Sequence, residues 1–199
     1  MSAAQPDADI IAAFKSDLSS LPLRDVVRKH ISTGHPVSFT GDEYYGLRKL
    51  IAEEFNLHPA SVVVVGSTRI GFSLNPDHRY RLVEQGSDID VAIVSQERFD
   101  DYWDRVFAYS RQAFAWRKSR RGRTFHRNLF DGWLDPRGLP TVTSFEPAER
   151  WVKFFDSLKQ SRQYGLRDIT ARLYRTWDRL EAYQERSVTL CKNEIVSAK

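Results

Sequence analysis

The chain has one cysteine, Cys191, which excludes an internal disulfide framework and any zinc site built from several thiolates. Its five histidines, His30, His35, His58, His78 and His126, show no paired ligand spacing, so a histidine metal centre is not expected. No apolar run approaches the length that spans a bilayer. The opening MSAAQPDADIIAAFKSDL carries acids where a secretory signal has a basic region followed by an apolar stretch. A cytoplasmic protein without membrane contact is the expectation. Internal repeats, low-complexity tracts and long flexible linkers are also missing, which argues against separately folded domains.

What is present supports one sizeable core. Of 199 residues, 41% are apolar and 28% charged, a balance that excludes disorder and fibrous repeats. Lys and Arg number 30 against 26 Asp and Glu, giving a net charge of +4. That excess suits anionic ligands, and its placement matters more than its total.

Ile10, Ile11, Phe14 and Leu18 recur at helical spacing, and Val26, Val27, His30 and Ile31 predict a second short helix. Thr40 and Glu43 form a capping-box pattern, and Tyr44, Leu47, Ile51 and Phe55 then share a face, so a helix is predicted from Gly41 to Phe55. Ser61 to Val65 and Val91 to Val94 read as two buried, paired strands. Phe99, Trp103, Val106, Phe107 and Phe114 mark a long amphipathic helix. Residues 116 to 133 read as basic and turn-rich, followed by one further strand at Phe130–Leu134 or Leu139–Phe145. Pro147, Trp151, Phe154, Phe155 and Leu158 predict another helix, and Leu166, Ile169, Leu173, Trp177 and Leu180 a last helical stripe. The expected fold class is α+β, a small mixed sheet with flanking helices. Residues 1–40 form a helical lead-in, 41–146 the central domain and 147–199 a C-terminal helical subdomain.

Two stretches carry chemistry. The first apolar strand ends at Gly66–Ser67, where a glycine lets backbone approach a ligand closely and the serine offers a hydroxyl and an amide for a phosphate. The sequence GlySerAspIleAsp at 86–90 then opens the second strand. Asp88 and Asp90, two apart, project from one strand face while Ile89 and Val91 point the other way, which suits a shared hard cation. Between them, Gly71 to Gln85 make a loop rich in polar residues. A cationic tract, Arg117, Lys118, Arg120, Arg121, Arg123, His126 and Arg127, is the other charged feature; it reads as a surface for RNA, DNA or a triphosphate, or as a solvated basic loop.

A strand ending in GlySer followed by an acid-x-acid pair on the next strand resembles the nucleotidyltransferase fold of the DNA polymerase beta superfamily, over residues 60 to 95. The resemblance implies triphosphate binding, of ATP or another nucleoside triphosphate, at Gly66 and Ser67. It also implies Mg2+ or Mn2+ binding at Asp88 and Asp90, the catalytic pair, and matches Ser87 to the family's SerAspxAsp form as a further nucleotide-binding residue. Family members add a third carboxylate on a later strand, and Asp131, Asp135 and Glu146 are the candidates here. The reaction it implies is metal-dependent transfer of a nucleoside monophosphate to a hydroxyl of an RNA, protein or small-molecule acceptor. The alternative is a nucleotidyltransferase-like module that has lost turnover and senses nucleotide or binds a partner, in a toxin or phage-defence setting.

Overall fold

The computed structural model describes residues 5–139 and 146–197, except for the side chains of 5–8, 146, 147 and 166. Strands β1 (Val62–Val65), β2 (Ile89–Val94), β3 (Trp133–Leu134), β4 (Gln163–Leu166) and β5 (Ile169–Tyr174) are interspersed with nine α-helices among these residues. Four strands form one mixed sheet in the order β1-β2-β5-β3. β2 is antiparallel to β1 and parallel to β5, and β3 closes the edge antiparallel to β5. The fold class is α+β.

Helical layers cover both faces of the sheet, which is why β1 and β2 are apolar on both sides. Ile89, Val91, Ile93, Ala171 and Leu173 face α3 (Gly41–Phe55), α5 (Gln96–Gln112), α7 (Arg120–Phe130) and α8 (Glu146–Gln160) through Leu47, Ile51, Phe99, Leu129 and Trp151. On the opposite face Val63, Val65, Ala92, Val94 and Tyr174 pack on α1 (Gln5–Ser20), α2 (Leu23–Val27) and α9 (Trp177–Ser197). Arg24 on α2 donates to Asp178 at 2.8 Å and also contacts Glu181 and Glu185, clamping α2 against α9.

The α3 prediction holds at both ends. Thr40 accepts from the Glu43 amide, Glu43 takes the Thr40 amide in return at 2.8 Å, and Asn56 ends the helix in the left-handed region at φ 51°. Two other readings are corrected. The stripe Leu166, Ile169, Leu173 is not helical: β5 alternates Ile169, Ala171, Leu173 on one face with Thr170, Arg172, Tyr174 on the other, a period of two that coincides with helical spacing at its apolar members. The 147–199 region therefore supplies a central strand as well as helices. The basic tract is likewise not a turn-rich loop but α6 (Phe114–Lys118) and α7. Gly122 is buried where a Cβ would meet the Trp116 carbonyl oxygen at 2.0 Å, so this glycine is a close-packing residue and not a breaker. Of the two strand alternatives, the chain uses Trp133–Leu134; residues 140–145 lie outside the described part.

One ion cluster gives acid sensitivity. Asp17 on α1 accepts from Lys29 at 3.0 Å and lies 2.6 Å from His30 Nε2, and these partners, Lys29 first, hold its carboxyl below its ordinary value of 3.8. A depressed carboxyl stabilises the fold above its unfolded value and loses that contribution as the pH falls through the folded one. Asp17→Asn should therefore cost about 1 kcal/mol at pH 7, a gap that closes in acid. Urea unfolding at pH 7 and pH 3 checks this, and an equal gap at both would contradict it.

Candidate functional site

Asp90 is the polar interruption in an otherwise apolar strand. Register places it opposite Val65 on β1 and Thr170 on β5. Its face is the one shared with Ala92 and Val94, where a cleft of about 450 Å³ opens between the sheet, Ile31, the 66–76 segment and α9. The chain must leave β1 directly over its carboxylate. Gly66 does this with φ 72° and ψ −158°, a conformation essentially confined to glycine, and a Cβ there would lie 2.8 Å from Asp90 Oδ2. The GlySer turn and the carboxylate are thus in direct apposition.

Ser67 is half-buried on the cleft wall and opens α4 (Ser67–Ile70), a single helical turn that Gly71 ends at φ 91°. The helix that opens at Ser67 is only one turn long. Its axial dipole is weak, so an anion at this turn would depend on the Ser67 hydroxyl, local amides and cleft side chains. The next residue but one, Arg69, is buried and donates from Nε to the Ile31 carbonyl at 3.0 Å, which fixes the turn against the N-terminal helices. Burial lowers the Arg69 pKa. The 72–85 loop contributes Ser73 and Asn75 to the cleft, as its position between the two motifs implied.

Asp90 Oδ1 accepts from Thr170 Oγ1 at 2.9 Å, which fixes the carboxylate's rotation and leaves Oδ2 facing Gly66. Thr170→Val should keep the fold and cost this orientation. We expect roughly tenfold weaker metal-dependent ligand binding, in line with the loss of one hydrogen bond to a charged group. Calorimetric titration checks it; unchanged affinity would remove Thr170 from the site.

Asp88 stands one residue ahead of β2, exposed, and not within the strand as expected. The turn that holds it is tied down by Ile89 N–H donating to the Asp168 carbonyl at 2.8 Å and by Arg167 Nε donating to the Ser87 carbonyl at 2.7 Å. Burial lowers the Arg167 pKa, and Asp88 and Glu43 oppose that shift. Ser87, matched above to a ligand-binding serine, uses its hydroxyl to accept from the Glu84 amide at 3.0 Å, a turn-forming role.

The third carboxylate is not on β5. Its sequence, ITARLY, places Thr170 beside Asp90 and Arg172 beside Ala92. Asp131 pairs with Arg186 at 3.0 Å. Asp135 is chelated by Arg137, with Nη2 to Oδ2 at 2.6 Å, and caps the turn after β3. The Glu146 side chain lies outside the described residues.

Arg172 is a residue that sequence reading missed. It lines the cleft with Asp90, over Tyr183 at 5.6 Å and Trp133 at 5.8 Å. Burial works against its charge but is outweighed by Tyr183, Tyr174, Asp90 and Asp135, which raise its pKa and keep it a cation. No carboxylate forms an ion pair with it among the described residues. The signal was the polar phase of the Thr170, Arg172, Tyr174 alternation.

Asp88 and Asp90 also lack ion-pair partners among the described residues, and no group of three His, Cys, Asp or Glu there could share a metal ion. Asp88 and Asp90 offer the hard carboxylate oxygens that a magnesium-type ion takes together with phosphate and water; of the two, Asp90 lines the cleft and Asp88 stands exposed ahead of the strand. No protein-family profile, curated protein or solved structure matches the chain.

Proposed function

We propose that this cleft binds a nucleoside triphosphate with a divalent cation and transfers its nucleoside monophosphate to an acceptor hydroxyl. The observation that carries the proposal is the apposition of the Gly66–Ser67 turn and the Asp90 carboxylate across adjacent strands, so close that a Cβ on Gly66 would lie 2.8 Å from Asp90 Oδ2. The cleft, at about 450 Å³, has the size of a small-ligand site. Asp88 and Asp90 would hold Mg2+ or Mn2+, which when bound supplies charge neutralisation at the phosphates.

The chain's own residues do the positioning. Gly66 and Ser67 receive the phosphates, Arg172 supplies a fixed cation beside them, and Thr170 holds the Asp90 carboxylate in one rotamer. The acceptor oxygen bonds to the α-phosphorus as the bond from that phosphorus to the β-phosphate oxygen breaks. Pyrophosphate leaves with the electron pair, and the hydroxyl proton passes to water.

A second reading has its own support. Thr170 and Arg172 stand on β5 where the resembled family carries an acid, which favours a module that retains nucleotide without turning it over. One experiment separates the two. The protein is incubated with each α-labelled nucleoside triphosphate, Mg2+ or Mn2+, and total RNA, protein or small-molecule extract, and the products are resolved. Label joined to an acceptor, with release of pyrophosphate, supports transfer; saturable nucleotide binding with no labelled product supports the binding module.

A further inference from the structure

The sheet face that carries Asp90 does not end at the nucleotide cleft. Crossing the sheet from β1, it presents Gly66 and Ser67, then Asp90, then Thr170 and Arg172, then Trp133 on the edge strand β3, whose register partner is Tyr174. Beyond Arg172 lies a second cleft of about 500 Å³, walled by Trp133, Asn128, Arg120 and Arg121, with Arg172 common to both. The two cavities therefore adjoin along one surface.

The wall of the second cleft is formed by α7, whose buried residues Gly122, Phe125 and Leu129 hold it to the body. Its outer side is cationic. Arg120, Arg123 and Arg127 recur at i, i+3 and i+7, all exposed, and Arg120 belongs both to this stripe and to the cleft wall. Among the described residues none of Arg117, Lys118, Arg120, Arg121, Arg123 and Arg127 pairs with a carboxylate. Arg121 is spent on structure, donating to the Gly138 and Leu139 carbonyls at 3.0 Å each, and keeps its uncompensated charge at the rim. The one acid in the wall, Asp135, is taken up by Arg137.

We propose that this second cleft binds the 3′ end of a single-stranded oligonucleotide, the last base lying against Trp133 and Asn128 and the preceding phosphates crossing α7 on Arg120, Arg123 and Arg127. Each component of the site matches part of that ligand. Trp133 offers an apolar aromatic wall, the Asn128 amide offers a donor and an acceptor for a base edge, and the arginine stripe, about 10 Å long, spans more than one phosphate step. An acidic protein segment would satisfy the stripe and leave the small aromatic cleft unused. The position also explains why Arg172 is shared: a 3′-hydroxyl in this cleft approaches Asp90 from the side opposite Gly66. This names the acceptor class for the transfer reading and rests on that reading for its catalytic meaning alone, since the binding stands by itself.

The test is fluorescence anisotropy with 5′-labelled twelve-residue single strands, one RNA and one DNA, and no nucleoside triphosphate. The wild-type protein is expected to bind at least one of them with steep salt dependence, and the preferred sugar identifies the source. Arg120→Gln, Arg123→Gln and Arg127→Gln together should weaken binding at least tenfold and reduce the slope of log affinity against log salt by about 2, the value for three lost contacts to a single strand. Asn128→Asp, in the cleft and off the stripe, should also weaken it about tenfold. In both variants triphosphate titration and the melting curve should match wild type. Failure of wild type to bind either strand, or unaltered binding by both variants, overturns the proposal. If the strands bind as described and no nucleotide is added to them, the oligonucleotide site stands and transfer to it falls.

Discussion

Gly66→Val should lower affinity for a nucleoside triphosphate at least 100-fold. Its φ of 72° and ψ of −158° are open to glycine and costly to every L side chain, so backbone strain alone is expected to take about 1–3 kcal/mol from stability. The Cβ would sit 2.8 Å from Asp90 Oδ2 and 3.4 Å from Asp90 Cβ, and neither neighbour is the end of a long flexible chain. Asp90 must rotate away, which breaks its 2.9 Å hydrogen bond from Thr170, or the turn must lift off β1 and carry Ser67 with it. Either movement separates the phosphate-binding turn from the carboxylate. Gly66→Ala introduces the same strain and the same Cβ without the two γ-methyls, so it should show the stability loss in full and a smaller binding loss. Urea unfolding and calorimetric titration of both variants give the two quantities separately. A folded Gly66→Val protein with wild-type affinity would place the phosphates elsewhere.

The first half of the site was legible because each of its parts has a local cause. A β-branched run ending in glycine marks a buried strand that must turn sharply, and Ile89, Asp90, Val91 alternate as a strand requires. Their mutual approach follows from pairing two short strands antiparallel, so GlySer and AspIleAsp come together without long-range information. The second half was hidden for a different reason. β5 pairs in parallel with β2 across a separation of 80 residues, and a parallel neighbour leaves no turn signal to announce it. Ile169 and Leu173, four apart, satisfied a helical stripe with Leu166 and Trp177, and only the intervening Ala171 shows the two-residue period. Thr170 and Arg172 were missed with the strand that carries them. The basic tract failed more simply: residues 116 to 133 read as turn-rich, whereas Ser119 caps α7 by accepting from the Gly122 amide at 3.0 Å.

The same contrast bears on the third acid. Asp131 and Asp135 were candidates without a decisive strand context, and both have local employment, Asp131 with Arg186 and Asp135 with Arg137. Catalysis that drew on Asp135 would first have to release it from that chelate. Asp88 and Asp90 carry no such partner among the described residues, which is what a pair kept for a cation requires.

The second large effect is the loss of that pair. Asp88→Asn with Asp90→Asn keeps side-chain size and the strand pattern, and the carboxamide oxygen introduced at the second position still accepts from Thr170, so the fold should melt close to the wild-type temperature. What disappears is the Asp90 charge in the cleft and the exposed Asp88 charge just ahead of β2. The deciding measurement is calorimetric titration of both proteins with a nucleoside triphosphate, with Mg2+ and with a chelator in its place. Wild type should bind much more tightly with Mg2+ than without, and the double variant should bind weakly and equally in both. A correctly folded double variant that binds as tightly as wild type, and still gains from Mg2+, would show that Asp88 and Asp90 are not the metal-dependent nucleotide site.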